Sequence, residues 1–129
     1  MRNRVPPLSQ AQYACNFADI LKPFTAEQAA VESSRCLFCF EAPCITACPT
    51  HIAVPGFIQK IHNQNLRGAT RVNLDANPLG ASCARVSPME VLCEGVCVLN
   101  HKPIEIGRVG VLDALSFDGG DCTNGGLEV

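Results

Sequence analysis

Apolar residues recur at helical spacing in several short segments of the chain. The first stripe occupies positions 13, 17, 20 and 21, from Tyr13 to Leu21. Ser9 with Gln12 three residues later has the spacing of a capping box, and Pro23 stops a helix. The pattern therefore predicts an N-terminal helix that follows a short arm and ends at Pro23.

Further helix signals follow along the chain. Thr25 and Gln28 repeat the capping-box spacing, and Pro55 is well placed for the first turn of a helix. Between these two starts, residues 36–55 are rich in cysteine and proline, which favours a loop with single helical turns. The predicted later helices cover residues 26–32, 55–61 with a core stripe of Phe57, Ile58 and Ile61, 66–74, 88–97 and 104–117, with a turn over Asn77-Pro78-Leu79-Gly80.

Alternation of apolar and polar residues, the mark of a half-buried strand, is not convincing in any segment. The sequence thus predicts an all-α fold whose loops carry the chemistry. We divide it into an N-terminal arm and helix (1–24), a main domain (25–117) and a polar, glycine-rich tail (118–129).

Composition narrows the class of protein. The 129 residues carry a net charge of −2, which gives no basic stripe for nucleic acid. No apolar run reaches the ~18–20 residues of a membrane span, and the first residues lack the apolar stretch of a secretory signal. We therefore expect a cytoplasmic protein. The unusual feature is nine cysteines, an odd number, which in a reducing compartment favours metal binding over disulfides.

Four of these cysteines form a compact motif. Cys36, Cys39, Cys44 and Cys48 have the spacing C-x2-C-x4-C-x3-C, and Pro49 follows at once. A short spacing lets one turn of backbone present two thiolates to the same iron–sulfur cluster. In two-cluster ferredoxins the cysteine before such a proline ligates the other cluster. A second set is therefore expected downstream, where Cys93 and Cys97 lie four residues apart.

Three other interpretations of the cysteines were weighed. Structural zinc remains an alternative, although zinc ribbons usually have two well-separated C-x2-C pairs. A disulfide scaffold fits poorly with the odd number of cysteines. Catalytic C-x2-C redox chemistry would require a βαβ setting that the sequence does not predict.

Between about Ala29 and Val109 the chain contains the segments RCLFCFEAPCITACPTHIAVPGFI, ANPLGASCARV, VLCEGVCVL and KPIEIG. In these segments it resembles the N-terminal iron–sulfur domain of dihydropyrimidine dehydrogenase and its bacterial flavoprotein-subunit relatives, and more distantly the glutamate synthase small subunit. It implies an α-helical ferredoxin-like domain with two [4Fe–4S] clusters. In that family the clusters relay electrons between FAD, reduced by a nicotinamide nucleotide, and a distant flavin site.

The resemblance also implies a ligand set. Cys36, Cys39, Cys44 and Cys97 match the four ligands of one cluster. The second cluster retains two matching ligands, Cys48 and Cys93.

Two expected ligands of the second cluster are missing. Ser87 stands where the family pattern has a cysteine, and Gly110 where dihydropyrimidine dehydrogenase has a glutamine. A serine oxygen binds iron clusters less well than a thiolate. Cys83 could replace Ser87 only through a local rearrangement, and Cys122 only if the tail folds back. We therefore predict that the first cluster assembles and that the second is absent, labile or incomplete.

Some residues near the motifs have weaker assignments. His51 either orients a loop, tunes a cluster by hydrogen bonding or is simply partly exposed. Cys15 is assigned to a core rather than to a site. Arg35 and Arg85 lie next to cysteine segments, where they could offset cluster charge or be ordinary solvated side chains. Glu94 is either a surface residue or part of a contact with a flavoprotein.

The leading functional hypothesis is an electron-transfer module of a dihydropyrimidine dehydrogenase-like oxidoreductase, without a catalytic site of its own. No G-x-G-x-x-G motif is present, so FAD and NAD(P)H are assigned to a partner flavoprotein domain or subunit. The alternative is a structural or interaction module, in which one cluster or a zinc ion only holds the loops. Neither hypothesis includes nucleic acid or a membrane.

Overall fold

The structure, a computed structural model, describes residues 9–17 and 22–115, with the backbone alone at Cys15 and at 111–115. Within this part of the chain the secondary structure is helical and contains no strand, which confirms the all-α prediction. The helices are α1 (Gln10–Asn16), α2 (Ala26–Ser34), α3 (Pro43–Ala47), α4 (Val54–His62), α5 (Leu66–Ala76), α6 (Gly80–Val86) and α7 (Ile106–Leu115).

Both predicted capping boxes form. The Ser9 hydroxyl accepts the Gln12 backbone N–H, and the Gln12 side chain accepts the Ser9 N–H in return. Thr25 and Gln28 make the same reciprocal pair at the start of α2. Since these bonds satisfy backbone donors that a helix start leaves free, they fix where α1 and α2 begin.

The core is built on α4. Its apolar stripe, Phe57, Ile58 and Ile61, is buried as predicted. The helix packs most extensively against α5 and also against α2, while α6 packs against α7. Ile104 and Val109, before and within α7, complete the buried cluster. The connections between these helices run around this core, and they carry most of the cysteines.

The predicted helix over residues 88–97 is wrong, because this segment is a series of turns. The Met89 carbonyl accepts the backbone N–H groups of Leu92, Glu94 and Gly95, so the chain winds back on one acceptor instead of forming a helical ladder. A Cβ at Gly95 would lie 2.3 Å from the Glu90 carbonyl oxygen, so only glycine fits this turn.

Helix α6 was not predicted. It follows the Asn77–Gly80 turn directly and presents no buried residue, so it lacks the apolar stripe that reveals a helix in sequence.

Other predictions concern the two ends of the chain. Helix α1 ends at Asn16, before the predicted end at Pro23. Phe17, just after it, is 82% exposed and its ring stacks on Tyr13 at 6.4 Å. Ile20 and Leu21, the tail with Cys122, and the Cys15 side chain lie outside the described residues. The domain boundaries at residues 24 and 117 stay predictions.

Among the described residues, no helix has both the length and the apolar character needed to cross a membrane.

Candidate metal centres

Four thiols line a single cavity between the start of α4 and the loops around it. They are the thiols of Cys36, Cys39, Cys44 and Cys97. The first two follow α2, the third lies on α3, and the fourth follows the 88–97 turns. The fold therefore brings together the four cysteines that the family resemblance assigns to one cluster, although Cys97 is distant from the others in sequence.

Local backbone geometry explains how the first pair is presented. The Cys36 N–H donates to the Ser33 carbonyl (3.1 Å), which continues the end of α2 into the loop. Phe38, between the two cysteines, has a positive φ of 49°, and its backbone N–H bonds to the Cys36 sulfur. This tight reversal, unusual for a non-glycine residue, lets Cys36 and Cys39 line the same cavity.

A buried carboxylate that sequence reasoning missed links α2 to the segment before α7, next to the first cavity. Glu32 on α2 accepts a bond from the Arg35 guanidinium (2.5 Å) and another from the Glu105 backbone N–H (3.1 Å). Arg35 also donates to the Lys102 carbonyl. Arg35 thus ties the end of α2 to the segment before α7, a structural role that the sequence did not reveal.

Burial and repulsion from neighbouring thiols raise the pKa values of Cys36 and Cys44. Burial is the main reason that the pKa of Cys36 is raised, and neighbouring Cys39 and Cys97 add to it. Burial, with Cys36 nearby, raises the pKa of Cys44 to about 11. A bound group with positively charged metal atoms would offset both the repulsion between neighbouring thiolates and the cost of burying their charge.

A second cavity lies between α6, α7 and the loop after α3. Its lining includes the predicted second-site residues Cys48, Ser87, Cys93 and Gly110, and also Cys83. Cys48 is the last residue of the α3 turn, Ser87 caps α6, and Gly110 lies within α7. The structure thus groups the two matching cysteines with the two positions where the expected ligands are missing.

Cys48 has surroundings unlike those of the other cysteines. Burial alone would raise its pKa, but hydrogen bonds from the Thr50 hydroxyl and from the backbone N–H groups of Ile52, Thr50 and His51 together lower it. His51 makes this loop possible with a φ of 51°, and its ring Nδ1 lies 3.2 Å from the Ile45 carbonyl oxygen. His51 is exposed, as one interpretation predicts, and the role of its ring in orienting the loop stays a prediction.

Cys93 completes the buried side of the second cavity. Burial raises its pKa to about 11, and the charges of Glu94 and Cys48 act in the same direction. The neighbouring Glu94 carboxylate accepts the Gly107 backbone N–H (2.9 Å) near the start of α7. Glu94 therefore anchors the cysteine-bearing turn to a helix and is half-buried, not a simple surface residue.

The two cavities share a wall. Val54 and Ile106 line both of them, so aliphatic side chains lie between the two groups of cysteines. The cavities measure about 30 and 70 Å³, far below the ~300–1,000 Å³ of pockets for drug-sized ligands. Within the described residues no three His, Cys, Asp or Glu side chains are gathered as they would be around a single metal ion. The thiols instead surround small cavities, and this donor set suits an iron–sulfur cluster.

Comparison with known proteins gives the same indication. A family model described as dihydropyrimidine dehydrogenase domain II, 4Fe-4S cluster, matches residues 13–114. The NAD-dependent dihydropyrimidine dehydrogenase subunit PreT of Escherichia coli is 44% identical over 97 residues, which cover 73% of this chain and 24% of that protein. The PreT protein of Salmonella typhimurium matches to the same extent.

A second group of relatives is more distant. The glutamate synthase [NADPH] small chain of Halomonas elongata is 37% identical over 98 residues, 74% of this chain and 21% of that protein. The chain thus spans only about a quarter of the length of these relatives. Its matched region contains all of the described cysteines. From this match and the two thiol-lined cavities, the chain belongs to the [4Fe–4S] domain family of dihydropyrimidine dehydrogenase domain II.

Proposed function

We propose that this chain is an electron-transfer module that binds a [4Fe–4S] cluster through Cys36, Cys39, Cys44 and Cys97. The observation that carries the proposal is the convergence of these four thiols on one cavity from three separate segments of the chain. Such a cluster, when bound, supplies one-electron redox chemistry.

The chain's own residues set the conditions for that chemistry. The four thiolates hold the iron, and the aliphatic lining, Val54, Ile58 and Ile104, keeps water away. Backbone N–H groups such as that of Phe38 reach the sulfur atoms. Burial and hydrogen bonds to sulfur are the factors through which a protein tunes the reduction potential of a cluster.

We propose that the second site has an incomplete set of ligands when it is compared with the family pattern. Cys48 and Cys93 are the matching ligands, while Ser87 offers a hydroxyl and Gly110 offers no side chain. We therefore assign electron transfer to the first site.

The electron donor and acceptor are proposed to be in a partner. The relatives include an NAD-dependent dihydropyrimidine dehydrogenase subunit and an NADPH-dependent glutamate synthase chain, and this chain corresponds to about a quarter of each. We therefore place FAD and NAD(P)H in a flavoprotein domain or subunit that contacts this module. In support, Leu37, Phe40 and Val98 are exposed apolar side chains in the segments that supply the first-site cysteines.

The rival proposal is a module without redox function, in which one cluster or a zinc ion holds the loops. Ser87 and Gly110 favour it, because a second site that has lost ligands need not relay electrons.

Anaerobic purification followed by a redox titration separates the two proposals. Electron transfer predicts brown protein whose visible absorption bleaches reversibly on reduction, with an EPR signal in the reduced state. Colourless protein with stoichiometric zinc would overturn the proposal, and a coloured cluster that cannot be reduced and reoxidised would favour the structural module.

A further inference from the structure

The second cavity contains a thiol that the family ligand set does not use. Cys83 lies on α6, four residues before Ser87, and both line the cavity together with Cys48 and Cys93. Residues four apart are neighbours on one helix face. The fold therefore places a thiol one helical turn from the serine that replaces the expected ligand.

A buried amide is directed at this thiol. Asn77 is only 6% exposed, and its Nδ2 donates to the Cys83 Sγ at 3.0 Å. Its Oδ1 accepts the Leu79 backbone N–H (2.9 Å), which fixes the end of the amide that faces the sulfur. N–H···S hydrogen bonds are among the contacts through which a protein tunes a bound cluster.

The two positions that have lost the family's ligands, Ser87 and Gly110, offer no thiol. Gly110 has space, since among the described residues a Cβ there would meet only the Ala84 Cβ at 3.7 Å, but it has no ligand atom. Ser87 supplies an oxygen, a poorer ligand for cluster iron than sulfur. Among the described residues of the lining, Cys83 is thus the third thiol beside Cys48 and Cys93.

We propose that Cys83 is the third thiolate ligand of a second cluster, which it holds together with Cys48 and Cys93. The proposal rests on the proposed function, since it takes the first site to be a [4Fe–4S] site. On assembly from iron and sulfide, each of the three thiols releases its proton to solvent and forms one iron–sulfur bond. The fourth iron has no thiolate, so this cluster is lost more readily than the first.

Iron and sulfide counts after anaerobic reconstitution test the proposal. The wild-type chain is expected to hold clearly more than four irons and to approach eight, the sum of two four-iron clusters. Cys83→Ala is expected to fall to about four, with about half the EPR spin count of the reduced protein. Val86→Ala, a control at a 78% exposed position of the same helix and outside the cavity lining, is expected to keep the wild-type count.

The double variant Cys83→Ala, Ser87→Cys distinguishes the loss of a ligand from a folding defect. Because it returns a thiolate to the family position, it is expected to regain the irons that Cys83→Ala loses. Equal iron counts in wild type and Cys83→Ala, or no recovery in the double variant, would overturn the role of Cys83. A wild-type chain that binds no iron would instead overturn the proposed function, so the two failures are distinguishable.

Discussion

At the scale of single residues, two nearby cysteines have pKa values that are shifted in opposite directions. The pKa of Cys44 rises to about 11 because burial and nearby Cys36 disfavour its charge. The pKa of Cys48 is lowered, because the Thr50 hydroxyl and three backbone N–H groups outweigh its burial. The cysteine motif predicts which thiols meet, but these differences arise from backbone geometry, such as the positive φ of His51.

Glu32 is a second residue whose role depends on its place in the fold. Glu32→Ala leaves the Glu105 N–H and the Arg35 Nη1 without this acceptor, while the Arg35 Nη2 keeps its bond to the Lys102 carbonyl. An unsatisfied buried polar group costs about 1–3 kcal/mol, so we expect the free energy of unfolding to fall by about 2 kcal/mol. The measurement is the midpoint of urea unfolding.

Asp75→Ala is the matched acidic control for Glu32. Asp75 forms a 3.9 Å pair with Arg71, and both side chains are well exposed. Exposed pairs contribute at most about 1 kcal/mol, so a change of less than about 0.5 kcal/mol is expected. Equal effects of the two substitutions would contradict the anchoring role of Glu32.

At the scale of elements, a helix can be predicted when its own residues carry a clear pattern of capping or apolar positions. The capping box at Thr25 and the apolar stripe from Phe57 to Ile61 are local patterns, and both predicted helices formed. The helix predicted over residues 88–97 does not form, because three N–H groups share the Met89 carbonyl and no sequence rule reveals that. Helix α6 lacks an apolar stripe, so the sequence placed Cys83 near the second site but did not predict the helix that carries it.

The turn before Cys97 provides a test at this scale. A Cβ in Gly95→Ala would press on the Glu90 carbonyl, so the turn must shift and move Cys93 and Cys97. We expect a loss of about 1–3 kcal/mol, typical of overpacking, and less iron bound per chain. Urea unfolding and iron analysis of the reconstituted protein measure the two effects.

Gly56→Ala is the matched glycine control. It lies in α4, where a Cβ would meet its nearest neighbour, the Ala53 Cβ, at an ordinary 3.5 Å. Because alanine is the better helix former, the variant is expected to be unchanged or to gain up to about 1 kcal/mol. If both glycine variants bind wild-type amounts of iron, the 88–97 turns do not position the ligands.

The wall of the first cavity gives a further prediction on α4. Ile58 is buried and lines that cavity, so Ile58→Val removes one buried methylene. A loss of about 0.5–1.5 kcal/mol is expected, together with faster bleaching of the visible absorption by an iron chelator. Val91→Ala, at a 68% exposed position, should change neither quantity, and equal bleaching rates would argue against the role of Ile58.

At the scale of the whole molecule, a small helical core supports two thiol-lined cavities that share Val54 and Ile106. The spacing of Cys36 to Cys48 predicts a cluster, but local spacing alone could not assign Cys97 to the first cavity. That assignment came from the family resemblance, and the fold supplies its physical basis by bringing the 88–97 turns back against α4. The central claim is that these four thiols act together as one site.

The most direct test of this claim is the visible absorption and iron content of Cys97→Ala made in the Cys83→Ala background, where the first site stands alone. The Cys83→Ala chain is expected to hold about four irons, one cluster. Adding Cys97→Ala is expected to remove the broad visible absorption and nearly all iron, whereas adding Cys122→Ala, outside the proposed ligands, should remove neither. Full retention of the cluster after loss of Cys97 would contradict the account.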